Sequence, residues 1–83
     1  MKVNLKQVGS PTQHEVSIGD NLVLYFSYET CVGFWHSGEG TVVSENMWSV
    51  TTGKHLHYWQ GNKKARVPHD EFTARLEAVL AQT

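Results

Sequence analysis

A chain of 83 residues has room for one domain, residues 1–83, with one modest core. An apolar share of 40 % and a charged share of 18 % exclude a disordered chain, and no apolar run approaches the length of a membrane span. The net charge of −1 hides an uneven distribution: Gln7 to Gly53 carries only acids (Glu15, Asp20, Glu29, Glu39, Glu45), and Lys54 to Arg66 only bases (Lys54, Lys63, Lys64, Arg66).

Lys2 to Val8 alternates, with Val3 and Leu5 against Lys2, Asn4 and Lys6, which predicts an edge strand whose lysines discourage further pairing. Gly9-Ser10-Pro11 reads as a turn, and His14 to Ile18 alternates again. After Gly19-Asp20-Asn21, Leu22 to Tyr28 is the strongest strand. It places Leu22, Leu24, Phe26 and Tyr28 on one face and Val23, Tyr25 and Ser27 on the other. With both faces apolar, this strand belongs in the middle of a sheet. Glu29-Thr30 reads as the reversal. Cys31 to His36 returns with Val32 and Phe34 on one face, and with Cys31 and His36 on opposite faces. Ser37-Gly38-Glu39-Gly40 reads as a hairpin loop and Thr41 to Ser44 as a short strand.

Trp48 to Trp59 then gathers hydroxyls, a lysine, two histidines and two tryptophans. Ser49, Thr51 and Thr52 are residues that satisfy the free N–H groups of a helix start. A short helix is predicted over Lys54 to Gln60, stopped by Gly61-Asn62, with Leu56 and Trp59 toward the core. Ala65-Arg66-Val67 reads as a brief extended piece before Pro68. Beyond it, Phe72, Leu76, Val79 and Leu80 form an apolar stripe at helical spacing, with Asp70 and Glu71 in the first turn and Glu71 placed to pair with Arg75. The fold class is therefore α+β: a small antiparallel β-meander of four to five strands, one short helix, and a C-terminal helix packed on the sheet.

Three stretches carry a resemblance: Ser27-Tyr28-Glu29-Thr30-Cys31-Val32-Gly33-Phe34, Thr41 to Asn46, and Trp48-Ser49-Val50-Thr51-Thr52-Gly53-Lys54-His55. They follow an SY-x-T-x-V … WS-x-TT-x-KH pattern that resembles small bacteriophage and prophage proteins of unknown function. Gly33 stands where that pattern has alanine, and Gly53 where it has a small polar residue. The resemblance implies a phage origin and a place in the bacterial host cytoplasm. The lack of an apolar core in Met1 to Lys6 agrees with a cytoplasmic protein.

Catalytic chemistry finds no constellation. Cys31 is alone and reads as a small packed hydrophobe, and Ser49 with His55 has no acid placed to orient the imidazole. An enzyme is not expected. Five histidines without a Cys pair or a spaced Cys/His quartet give no metal site, and no cofactor is implied. Three binding functions remain. Size and resemblance together favour a phage accessory protein that binds a protein of host or phage, with inhibition of a host process such as a defence system as one form. It has no membrane partner and can form a homodimer. Nucleic acid is the second reading, through Lys54, Lys63, Lys64 and Arg66 with Tyr58 or Trp35 stacking on bases. The third is a small anion held at the helix start by Ser49, Thr51, Thr52, Lys54 and His55. Most of the aromatic residues are needed for the core, with Trp35 and Tyr58 the candidates for exposure.

Overall fold

The computed structural model describes residues 2–82. Five strands, β1 (Val3–Gln7), β2 (Gln13–Ile18), β3 (Leu22–Ser27), β4 (Thr30–His36) and β5 (Gly40–Val43), pair antiparallel in chain order. The doubly apolar β3 lies at the centre, as its sequence predicts. The β3–β4 reversal comes one residue earlier than expected, at Tyr28-Glu29, so that Ser27 faces Thr30. Tyr28 adopts a left-handed φ of 56°, which costs a side-chain-bearing residue on the order of 1 kcal/mol. Its N–H donates to Thr12 O at 2.8 Å and its ring leans over His55 at 5.8 Å, contacts that hold the conformation.

The β3–β4 ladder contains a bulge that the alternation alone does not reveal. Tyr25 faces Gly33 and Phe26 faces Cys31, which leaves Val32 as an extra residue. Beyond it, the in-out pattern is reversed. Val32 therefore packs with Tyr25, Val43 and Leu56, whereas Phe34 packs with Leu22, Val42, Phe72 and Val79 on the other side. The expectation that Val32 and Phe34 share a face is corrected. So is the expectation for Cys31 and His36, which lie on the same face, opposite Phe26 and Leu22. Gly33 makes the crowding possible: a Cβ there would stand 3.0 Å from Tyr25 Cδ2 and 3.1 Å from Val43 Cγ2.

Two helices cover opposite faces of this sheet. Helix α1 (Val50–Trp59) inserts Leu56 among Tyr25, Val32 and Val43, and Trp59 stacks on Tyr25 at 4.8 Å while its indole N–H donates to Glu15 Oε2 at 2.9 Å. Helix α2 (His69–Leu80) inserts Phe72 and Val79 against Leu22, Phe34 and Val42. The expected Glu71–Arg75 pair forms at 3.2 Å, and Arg75 also meets Glu39 at 3.1 Å. A 3-10 turn, Lys63–Ala65, takes in the first residue of the extended piece expected over Ala65 to Val67, and the extended geometry begins at Arg66 (φ −77°, ψ 141°) and continues into the Val67 bridge. Val67 then closes the β5 edge: its N–H donates to Val43 O at 2.9 Å and its carbonyl accepts from Glu45 N–H at 2.8 Å.

Helix α1 starts four residues before the predicted Lys54. Ser49 Oγ accepts from Thr52 N–H at 3.2 Å, so the cap acts on the turn that contains Thr51, Thr52 and Gly53. Gly53 does not delay the helix, because its missing side chain admits the Asn46 amide, which would lie 2.9 Å from a Cβ. The C-terminal stop is also different: Gln60, in extended geometry, ends the helix before Gly61. Ser49→Ala is expected to cost about 1 kcal/mol, measured as a lower urea midpoint with an unchanged slope.

Candidate functional site

A groove of about 550 Å³ lies between α1 and the 3-10 turn and is lined by Glu45, Asn46, Val50, Gly53, Lys54, His57, Lys63 and Arg66. Its floor is built by Asn46, whose Oδ1 accepts from Trp48 N–H at 2.9 Å and whose amide donates to Ser49 O at 3.1 Å. One wall is the α1 face carrying Val50, Lys54 and His57, spaced four and three apart so that they line up along the helix. The other wall is positioned by caps. Asn62 Oδ1 accepts from Lys64 N–H at 3.0 Å, starting the 3-10 turn that presents Lys63. Arg66 donates from Nε at 3.1 Å and Nη2 at 3.0 Å to Gln60 O, which fixes its guanidinium across the end of α1.

The charge of this groove is not cancelled internally. Lys54, Lys63 and Arg66 stand against the single carboxylate Glu45, and both ion pairs found among the described residues belong to Arg75, elsewhere on the molecule. Lys54 and Lys63 are exposed and Arg66 is half-buried. On a chain of net charge −1, these groups form a local field attractive to anions.

The five residues proposed for an anion at the helix start do not form one cluster. Ser49, Thr51 and Lys54 face solvent, whereas Thr52 and His55 are buried on the sheet side of α1. Thr52 Oγ1 lies 3.0 Å from Ser27 Oγ, which lies 2.7 Å from His55 Nδ1, and His55 Nε2 lies 2.8 Å from Ser10 Oγ. With Ser49 Oγ 3.4 Å from Thr52 Oγ1 and Ser10 Oγ 3.3 Å from Thr12 Oγ1, the groups form one continuous chain. One proton order that satisfies it has each hydroxyl donate to the next group, with a neutral His55 accepting at Nδ1 and donating from Nε2. Burial lowers the His55 pKa from its ordinary 6.5, in keeping with the neutral form. This chain ties β3, the β1–β2 turn and α1 together. Although Ser10 and His55 are in contact, Ser27 occupies the orienting position that a carboxylate holds in a nucleophilic triad.

For the basic and aromatic set, Lys54, Lys63 and Arg66 converge on the groove, while Lys64 is exposed beside it. Tyr58 is 56 % exposed, one turn beyond Lys54, and meets Trp59 edge-on at 5.9 Å. Trp35 does not join them: it lies on β4, half-buried against the Tyr25, Val32, Val43 and Leu56 cluster. Trp48, which the sequence reading left inside, is partly exposed and meets His69 edge-on at 5.4 Å. Sequence reasoning missed His57, Glu45 and Asn46 as groove residues. The helical spacing of His57 from Lys54, both inside the predicted helix, was the available signal; only Val50, four residues before Lys54, fell outside it. Cys31 is half-buried, and burial pushes its thiol up to about 11, which keeps it protonated and unreactive.

A family model described as a family of unknown function (DUF8033) matches residues 3–74, from the start of β1 into the middle of α2. The chain belongs to that family. The matched span contains every residue that lines the groove. No curated protein and no solved structure matches the chain. Among the described residues, no helix is long and apolar enough to cross a membrane.

Proposed function

We propose that the protein acts by binding, and that its groove receives an acidic segment of a protein partner. The observation that carries this reading is the convergence of Lys54, Lys63 and Arg66, from two separate segments, on one groove that holds a single carboxylate, Glu45, and in which none of the three is ion-paired among the described residues. A polypeptide suits the site better than a polyanion, because Glu45 on the same wall repels a uniformly charged strand yet can accept a donor from a mixed sequence. The exposed Val50 on the groove wall offers an apolar contact that a peptide side chain can use. The partner is a macromolecule of host or phage, and occupying an acidic surface of a host protein is one way for so small a chain to inhibit a host process such as defence.

Nucleic acid is the second reading, favoured by Tyr58, which is exposed one turn from Lys54 and free to stack on a base. Fluorescence anisotropy with a labelled acidic peptide and a labelled single-stranded oligonucleotide separates the two. Peptide binding that weakens with salt is expected, and Lys54→Glu combined with Lys63→Glu is expected to weaken it by at least about tenfold without lowering stability, since both lysines are exposed. Binding of the oligonucleotide in preference to the peptide moves the assignment to the second reading. Binding of neither, at low salt, refutes both.

A further inference from the structure

The two edges of the sheet are treated differently. Val67 covers β5, but among the described residues nothing pairs with the outer side of β1, which is exposed along its whole length, with Val3 at 63 % and Leu5 at 71 %. The apolar face of β1 continues inward: Leu5 pairs with Val16, and Val16 with Leu24, while Leu5, His14, Val16, Phe26 and Tyr28 line a shallow groove of about 280 Å³. This part of the sheet is left open beside the Phe72–Val79 contact that seats α2 on the far strands.

We propose that β1 pairs antiparallel with β1 of a second copy of this chain, centred on Leu5, to make one continuous ten-stranded sheet. Hydrogen-bond phase permits it. Lys2 O accepts from Gly19 N–H at 2.7 Å and Val8 N–H donates to Gln13 O at 3.0 Å, so the even-numbered residues of β1 bond inward to β2. The N–H and C=O groups of Val3, Leu5 and Gln7 consequently point outward. Centring on Leu5 sets Leu5 against Leu5 and Val3 against Gln7, so these free groups meet one another.

Charge selects that register. A two-fold axis perpendicular to the sheet keeps the apolar faces of both copies on one side, so the pairing can shift only in steps that preserve side-chain facing. A shift one way sets Lys2 against Lys6, and a shift the other way sets Lys6 against Lys6. The Leu5-centred register sets Lys6 against Asn4 and Lys2 against Val8, and it leaves each Lys6 facing Glu15 on its own β2. The edge lysines thus exclude the neighbouring registers and spare one. The result is an unbroken apolar strip, Phe26, Val16 and Leu5 of one copy followed by the same residues of the other.

Sedimentation equilibrium over a concentration series is expected to show a reversible dimer. Leu5→Lys, which sets lysine against lysine at the two-fold, is expected to weaken it by on the order of tenfold or more. Because Leu5 is exposed, that variant keeps the circular dichroism and urea midpoint of the wild-type fold. A cross-link reads the register directly. Cα atoms of a directly opposed hydrogen-bonded pair lie about 5.5 Å apart, within disulfide range, so Leu5→Cys is expected to form a covalent dimer under mild oxidation. Lys6→Cys is not, because the two copies of position 6 would stand roughly 8 Å apart. A wild-type chain that stays monomeric at every concentration overturns the proposal, as does a dimer that survives Leu5→Lys or cross-links as well through position 6.

Discussion

Phe34→Ala is expected to lower folding stability by about 3–5 kcal/mol, the largest effect of any single substitution considered. Phe34 has no solvent exposure and fills the space between Leu22 and Val42 on the sheet and Phe72 and Val79 on α2, with its ring 6.1 Å from that of Phe72. Truncation removes the transfer free energy of the ring and leaves a cavity that the pleated backbone beneath it cannot close. A chain of this size has a stability at the low end of roughly 5–15 kcal/mol, so the variant should lose most of its folded population on mild warming. Urea unfolding followed by circular dichroism measures it, with Leu5→Ala as the comparison. Leu5 is 71 % exposed, and its removal should change monomer stability by no more than about 0.5 kcal/mol. Equal losses at the two positions would mean that the Phe34 cluster is not the principal core.

The contrast between those leucine and phenylalanine side chains also shows what the sequence made legible. Alternation placed five strands within a residue or two, and the double-faced apolar pattern of Leu22 to Ser27 identified the central strand, because burial on both faces leaves a direct trace in composition. The bulge at Val32 left no such trace. One extra residue reverses the facing of everything after it; a glycine inside a strand, here Gly33, marks a bulge or a close approach, but it does not say which neighbouring residue is the extra one. Burial on both faces of the sheet takes a helix on each, α1 against Tyr25, Val32 and Val43 and α2 against Leu22, Phe34 and Val42. For the site, charge segregation exposed Lys54, Lys63 and Arg66 in advance, since like charges close in sequence are read without knowledge of the fold. The division of Ser49, Thr51, Thr52, Lys54 and His55 into an outward set and an inward chain could not be read, because it depends on where α1 begins. Glycine is a poor helix former, whereas the tertiary contact with Asn46 makes it the residue that fits at position 53.

Lowering the pH from about 7.5 to about 5.5, a window that leaves most carboxylates ionised, is expected to destabilise the protein through His55. The imidazole is buried among Ser10, Ser27 and Thr52 hydroxyls, and no carboxylate is hydrogen-bonded within the chain that could compensate a cation. Burial therefore holds its folded pKa below the ordinary 6.5 that applies to the unfolded chain. Between those two values the unfolded state binds more protons than the folded one, so stability rises with pH. The contribution is fully present above 6.5, falls as the pH drops through that value, and levels off once the folded-state pKa is passed. Protonation also breaks the proton order, because Ser27 can no longer donate to Nδ1 and must turn back toward Thr52. His55→Gln removes the titrating group and should flatten the slope of the urea midpoint against pH over this window. It should also cost on the order of 1–3 kcal/mol at neutral pH by leaving a buried hydroxyl short of a partner. The flattened slope is the diagnostic readout, because any disruptive substitution lowers the midpoint while only loss of the titration removes its pH dependence. A midpoint that rises on acidification would show that the interior accommodates the imidazolium, and the neutral hydroxyl chain joining β3 to α1 would then be the wrong description of this junction.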